Sequence, residues 1–190
     1  MKKIITILFL LLIVAVCPAQ TTHMKFKGIP MEGTLDSFVQ KLKDKGFTYL
    51  GQEDGMAILT GEFAATKGCT VGVARFSDRD QVNIVVVIFP REETWKSITK
   101  TYYNLKDMLT AKYGNPESIE EFSGREPIDD YFKFHALLRD ECNFISDFVC
   151  EGGKIQLTMN KQTYSSAAVI LRYIDKANAD ETRKRIMDEL

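Results

Sequence analysis

The side chains able to do chemistry are few in this chain, and their spacing limits what they could do. It holds four cysteines and two histidines. Cys69, Cys142 and Cys150 lie in the body of the chain, and Cys17 lies near its start. Their spacings match no zinc site. His23 and His135 are too few to build a three-histidine metal centre. No Gly-x-Ser-x-Gly, P-loop, His-Glu-x-x-His or Cys-x-x-Cys motif occurs. A nucleophilic dyad would have to join His135 to Cys69 or Cys142, and a thiol must be activated by its surroundings before it attacks. The sequence therefore points to no catalytic residue, no cofactor and no metal.

Acidic pairs are the next resource for acid–base chemistry. Glu92/Glu93, Glu120/Glu121 and Asp129/Asp130 are adjacent in sequence. Neighbours on a helix point about 100° apart, so each pair reads as a solvated or dipole-favouring face. Asp78-Arg79-Asp80 has the first spacing of a calcium loop but lacks the glycine and later glutamate, and reads as a hairpin tip. Among the aromatics, Trp95 and Tyr102 fall on a helical apolar stripe and read as core. Tyr103 lies off that stripe and is the one aromatic there to test as a contact residue.

These residues must be held by helices and strands, and the patterns for both are clear. Thr34 caps a helix whose apolar face is Leu35, Phe38, Val39 and Leu42, closed by Gly46. Strand patterns follow at 47–50, 56–63, 69–76 and 82–89, with an Asp54-Gly55 turn between the first two. The last is apolar on both faces, as a covered central strand is. A second helix is expected over 92–113, with the stripe Trp95, Ile98, Tyr102, Leu105 and Leu109 and a stop at Gly114-Asn115-Pro116. Strands are expected at 117–122, 142–150, 155–159 and 167–174, and 129–138 suits a helix or a strand. Residues 175–190 read as a polar closing helix. The fold class is α+β, with two tandem units, each a helix followed by a four-stranded antiparallel sheet. They span 20–90 and 91–174.

The chain begins with Lys2-Lys3, then an apolar run over 4–16, then Cys17-Pro18-Ala19. That is the pattern of a signal peptide cleaved after Ala19, too short to span a bilayer as a mature helix. The alternative is a lipoprotein signal that keeps and acylates Cys17; Val16 and Pro18 disfavour it. Cleavage removes Lys2 and Lys3, leaving 23 basic against 26 acidic side chains, a net charge of −3. A mildly acidic, interspersed balance offers no footprint for nucleic acid or an anionic membrane surface. At 45% hydrophobic and 27% charged residues, the composition is that of a folded globular protein.

An exported chain meets an oxidising compartment, so one disulfide is open to it. Cys142 and Cys150 on one strand would stand about 26 Å apart. Cys69 with either of them is then the favoured pairing. The alternative is that all three are small buried hydrophobes.

The stretch Met24-Lys25-Phe26-Lys27-Gly28-Ile29-Pro30-Met31-Glu32-Gly33-Thr34-Leu35, the Lys-Gly-Phe ending at Phe47, Phe89-Pro90 through Trp95, Tyr102 to Leu109, and Lys112-Tyr113-Gly114-Asn115-Pro116 resemble a group of small exported proteins of uncharacterised function from Gram-negative bacteria. The resemblance brings no catalytic residues. In outline the doubled pattern is similar to the tandem helix-plus-four-strand fold of the β-lactamase inhibitory protein, and such likeness of shape does not fix function. The expectation is a non-catalytic binding or protein-interaction module of the bacterial envelope, periplasmic or secreted. Its partner would be an unknown envelope protein or a small ligand. The alternatives are an inhibitor of a secreted enzyme and a periplasmic hydrolase of unrecognised type.

Overall fold

Each apolar pattern becomes an element with a face to bury. The computed structural model describes residues 22–75 and 80–188. The expected cleavage point, Cys17, and most of the 77–80 hairpin tip lie outside the described residues. Strands β1 (Lys25–Phe26) and β2 (Ile29–Pro30) form a small hairpin. Its turn is Lys27-Gly28 at φ 52 and 79, the left-handed pair that a two-residue hairpin needs. Helix α1 (Leu35–Asp44) buries Leu35, Phe38, Val39 and Leu42, and Thr34 caps it by accepting from the Ser37 N–H.

Helix α2 (Trp95–Tyr113) buries the expected stripe of Trp95, Ile98, Tyr102, Leu105 and Leu109. It starts later than the acidic residues suggested. Thr94 is its cap, accepting from Ser97 N, while Glu92 is extended and exchanges backbone hydrogen bonds of 2.8 and 3.0 Å with Ala167. Residues 129–138 resolve as helix α3 (Asp130–Leu138), capped by Asp129. Helix α4 (Lys176–Asp188) follows directly on the last strand. Among the described residues, no helix is long and apolar enough to cross a membrane.

The remaining strands are β3 (Thr48–Glu53), β4 (Met56–Phe63), β5 (Thr66–Arg75), β6 (Val82–Ile88), β7 (Glu117–Phe122), β8 (Cys142–Cys150), β9 (Gly153–Lys161) and β10 (Ala167–Asp175). They form one antiparallel sheet in the order β3-β4-β5-β6-β10-β9-β8-β7. The class is α+β, but the expected pair of four-stranded sheets is replaced by a sheet of eight beside a two-stranded ribbon. Division at Pro90 into separate sheets does not hold, because β6 and β10 pair antiparallel over five residues. Both are largely apolar on both faces, Arg172 of β10 being the main exception. Left as edges they would present unpaired backbone and Val/Ile side chains to solvent, and pairing them removes both edges.

Register fixes what each face carries, since successive side chains point to opposite sides. One row crosses the whole sheet: Tyr49, Leu59, Val71, Val87, Leu171, Leu157, Ser146 and Ser118. Its six central members are buried. Their side chains meet the apolar faces of α1 and α2, and a single core with Phe26, Phe38 and Ile98 results.

Candidate functional site

The opposite face of the sheet consists of the alternate residues of the same strands. Three rows lie there. One runs Thr60, Thr70, Ile88, Ile170, Thr158, Ile145 and Ile119; the next Ile58, Gly72, Val86, Arg172, Gln156 and Asp147; the third Met56, Ala74, Ile84, Ile174, Lys154 and Val149. Most of these are half-buried, sheltered by their row neighbours, while Val149 and Ile119 are exposed. The buried side chains of α1 and α2 lie on the other face. At about 4.8 Å per strand step the longest row, from β4 to β7, is about 29 Å. Three rows along the strands make the face at most roughly 600 Å², somewhat below the area one partner contributes to an ordinary interface.

The face is divided chemically. The β4–β6 half is mostly aliphatic, with Thr60 and Thr70 at one end. The β8–β10 half carries a ladder of polar groups in mutual contact. Lys154 Nζ donates to Asp147 Oδ2 at 3.0 Å, and Gln156 Nε2 donates to Asp147 Oδ1 at 3.0 Å. Arg172 Nη1 donates to Gln156 Oε1 and Thr158 Oγ1, both at 3.4 Å. Arg172 pairs across β6 with Val86 and stands where the two halves meet. It forms no ion pair with a carboxylate among the described residues, so most of its five donors remain open.

A second polar cluster lies under α2. Tyr102 Oη and Ser146 Oγ are 2.8 Å apart, and Ser146 Oγ and Ser118 Oγ also 2.8 Å. Tyr102 and Tyr103 donate to Glu120 at 3.4 and 3.2 Å, and Lys106 bridges the same carboxylate. Burial first, and then the Glu120 charge, hold both phenols in their neutral form; Tyr103 is pushed up to about 12 and Tyr102 is raised further. A tyrosine acting as a base needs the opposite shift. The cluster works as a fastening of α2 to β7 and β8. Tyr103, the expected contact residue, is 40% exposed but committed to Glu120.

Cys69, Cys142 and Cys150 carry free thiols. Cys142 and Cys150 lie at opposite ends of β8, as their spacing implied. The favoured Cys69 pairing is not formed. Cys69 is on β5, four strand steps or about 19 Å from β8, far beyond disulfide reach. Burial raises all three thiols, Cys142 to about 11, so none is an activated nucleophile. His135 packs its ring 4.3 Å from Tyr131 and bonds no cysteine among the described residues. The acidic pairs are split: Glu120 turns to α2 while Glu121 takes the other face of β7, and Asp129 is spent on capping. Asp80 accepts from Leu35 N and Arg75 Nη1, at 3.3 and 3.2 Å. Among the described residues, no group of three or more His, Cys, Asp or Glu is placed to hold a metal ion.

Sequence reasoning missed Arg172, whose only signal was a cation inside an aliphatic strand. It missed Asp175, the buried end of that strand. Its carboxylate accepts from Met24 N at 2.7 Å, Asn178 N at 2.8 Å and His23 Nδ1 at 3.3 Å.

No protein-family model matches the chain, and no curated protein or solved structure matches it either.

Proposed function

We propose that the protein is an exported, non-catalytic binding module of the bacterial envelope, and that its open sheet face docks a folded partner protein. The signal-like start supports export. The observation that carries the binding role is the open face itself: an aliphatic half beside a polar ladder, rigid because it is sheet, with an arginine at its middle that forms no ion pair among the described residues. Contiguous apolar surface rimmed by polar residues marks interaction sites. The partner it fits presents an apolar patch with a carboxylate directed at Arg172, since desolvating an unpaired guanidinium against anything else is costly. We also read the two halves as a duplicated unit. β3–β6 and β7–β10 are each a four-strand meander led by a helix, joined through their last strands. Such a junction makes the face one surface contributed by both halves.

The test places a photo-crosslinking residue at Val86, and as control at Lys41 on the exposed side of α1, in the native envelope. Position 86 should give one discrete adduct, abolished by Arg172→Glu, and position 41 none. Adducts from both positions, or an adduct that Arg172→Glu leaves intact, would sink the reading. An adduct formed only with a second copy of this chain would refute the separate partner.

A further inference from the structure

We propose that the cleft between the β1–β2 hairpin, the C-terminal end of α2 and the β8–β9 turn binds a small organic anion, a carboxylate or phosphate monoester carried on a planar apolar body. This site lies away from the open sheet face and does not depend on its reading. The cleft has a volume of about 470 Å³, within the range of small-molecule pockets. Its wall is aromatic: Phe63, Tyr113 and Tyr173. Tyr173 is only 7% exposed, and its ring is held edge-on by Phe26 and Phe63 at 5.1 and 6.3 Å. Yet its hydroxyl makes no hydrogen bond among the described residues. The hydroxyl is not a buried unsatisfied atom: it reaches the open space of the cleft, where a ligand or water can accept from it. Burial keeps the phenol protonated, so at neutral pH it is a donor.

The charge around the cleft names the acceptor. Lys25, Lys27 and Lys112 all line it, and none forms a salt bridge among the described residues. Elsewhere Lys106, Lys133 and Lys154 each bridge a carboxylate. Two of the cleft lysines are held over rings instead. Lys27 Nζ lies 5.8 and 5.9 Å from the Phe47 and Phe63 centroids, and Lys112 Nζ 4.9 Å from that of Tyr113. Lys27 owes its position to the left-handed turn of the hairpin. Among the described residues Glu151 is the one carboxylate lining the cleft, so lysines outnumber it three to one. Ammonium groups with a neutral hydroxyl donor suit an oxyanion, and the aromatic wall suits a flat apolar body behind it.

The experiment titrates the isotope-labelled protein with phenyl phosphate and with benzoate, following backbone amide shifts and heat of binding. Inorganic phosphate and benzyl alcohol serve as the bare anion and the neutral body. At least one aromatic anion should bind saturably, with shifts confined to 24–28, 112–114 and 150–152. Benzyl alcohol and inorganic phosphate should each bind at least tenfold more weakly. Tyr173→Phe removes one hydrogen bond to a charged acceptor and should weaken binding about tenfold. Lys27→Gln and Lys112→Gln, both exposed and safe for folding, should each weaken it by about threefold or more. Absence of saturable binding by either aromatic anion overturns the proposal, as does binding unchanged in all three variants. Equal binding of the neutral alcohol overturns the anion, equal binding of inorganic phosphate overturns the apolar body, and shifts on β5, β6 and β10 overturn the site.

Discussion

Removing the Asp175 carboxylate should unfasten three parts of the molecule at once. Asp175 is fully buried at the end of β10. Oδ2 accepts from the backbone N–H of Met24, in the segment leading into β1, and Oδ1 accepts from Asn178 N in the first turn of α4. It is therefore both the cap of α4 and the anchor of the N-terminal segment. The approach is close: a Cβ on Gly152 would lie 2.7 Å from the His23 carbonyl carbon and the Met24 nitrogen. In Asp175→Ala two buried N–H groups lose a charged acceptor. Each such bond is worth about 1.5–3 kcal/mol, and losing a cap about 1. Partial relaxation of the termini brings the expected loss to about 3–5 kcal/mol, or about 10–15 °C in Tm for a domain of this size. Asp175→Asn keeps the shape and one oxygen, but its amide must face one of the two N–H groups, so about 2 kcal/mol is expected. Thermal and urea unfolding at neutral pH measure both, with amide exchange at Met24 and Asn178 as the local readout. A loss under about 1 kcal/mol in Asp175→Ala, or an Asn variant as damaged as the Ala one, would refute the anchoring role.

Two other perturbations test the sheet and the α2 fastening. Val86 and Val87 are adjacent on β6 and point to opposite faces, so Val87→Thr buries a hydroxyl and should cost about 1–3 kcal/mol, while Val86→Thr should stay within about 0.5; equal effects in urea titrations would contradict the face assignment. At high pH, Tyr103 is neutral in the fold up to about 12 but ionises at about 10 when unfolded. The unfolded chain thus sheds its proton first, so stability holds below about pH 10 and falls as pH rises towards about 12. Burial of Tyr102 and Tyr173 acts with the same sign. Unfolding midpoints that stay level or rise over that window, with tyrosinate absorbance as monitor, would refute it, and Tyr103→Phe should reduce the slope.

What was legible in the sequence was local. The stripe from Trp95 to Leu109 and the face Leu35 to Leu42 are periodic over a few turns, and both are buried as read. The Glu92/Glu93 pair misled because a backbone pairing with Ala167, 75 positions away, keeps Glu92 extended and leaves Thr94 to cap the helix. Cys142 and Cys150 could be separated from spacing alone. The distance from Cys69 could not, because it depends on strand order. Strand 82–88, apolar on both faces, was readable as central; its partner β10 was not, since nothing in one strand's composition says which distant strand will lie beside it. That one pairing makes two sheets into one, and Asp175's contact with Met24 is hidden for the same reason.

The same pairing decides what the chain exposes. On an edge strand, Arg172 would be an ordinary solvated side chain. Between β6 and β9 it becomes a cation in the middle of a surface, with Val86 on one side and Gln156 on the other. The open-face residues of β6, Ile84, Val86 and Ile88, then meet Ile174 and Ile170 of β10 on either side of Arg172, an aliphatic block broken only by that cation. Scattered apolar surface residues need no explanation, but a block that exists only because two distant strands pair is a property of the assembled sheet. The polar ladder of Lys154, Asp147, Gln156 and Arg172 is ordered by its own hydrogen bonds, which under the proposed docking role would lower the entropy lost on binding. The fold therefore sets a cation that forms no ion pair among the described residues beside uncovered aliphatic side chains, on the face the α1 and α2 stripes leave free, and the proposed docking role rests on that juxtaposition.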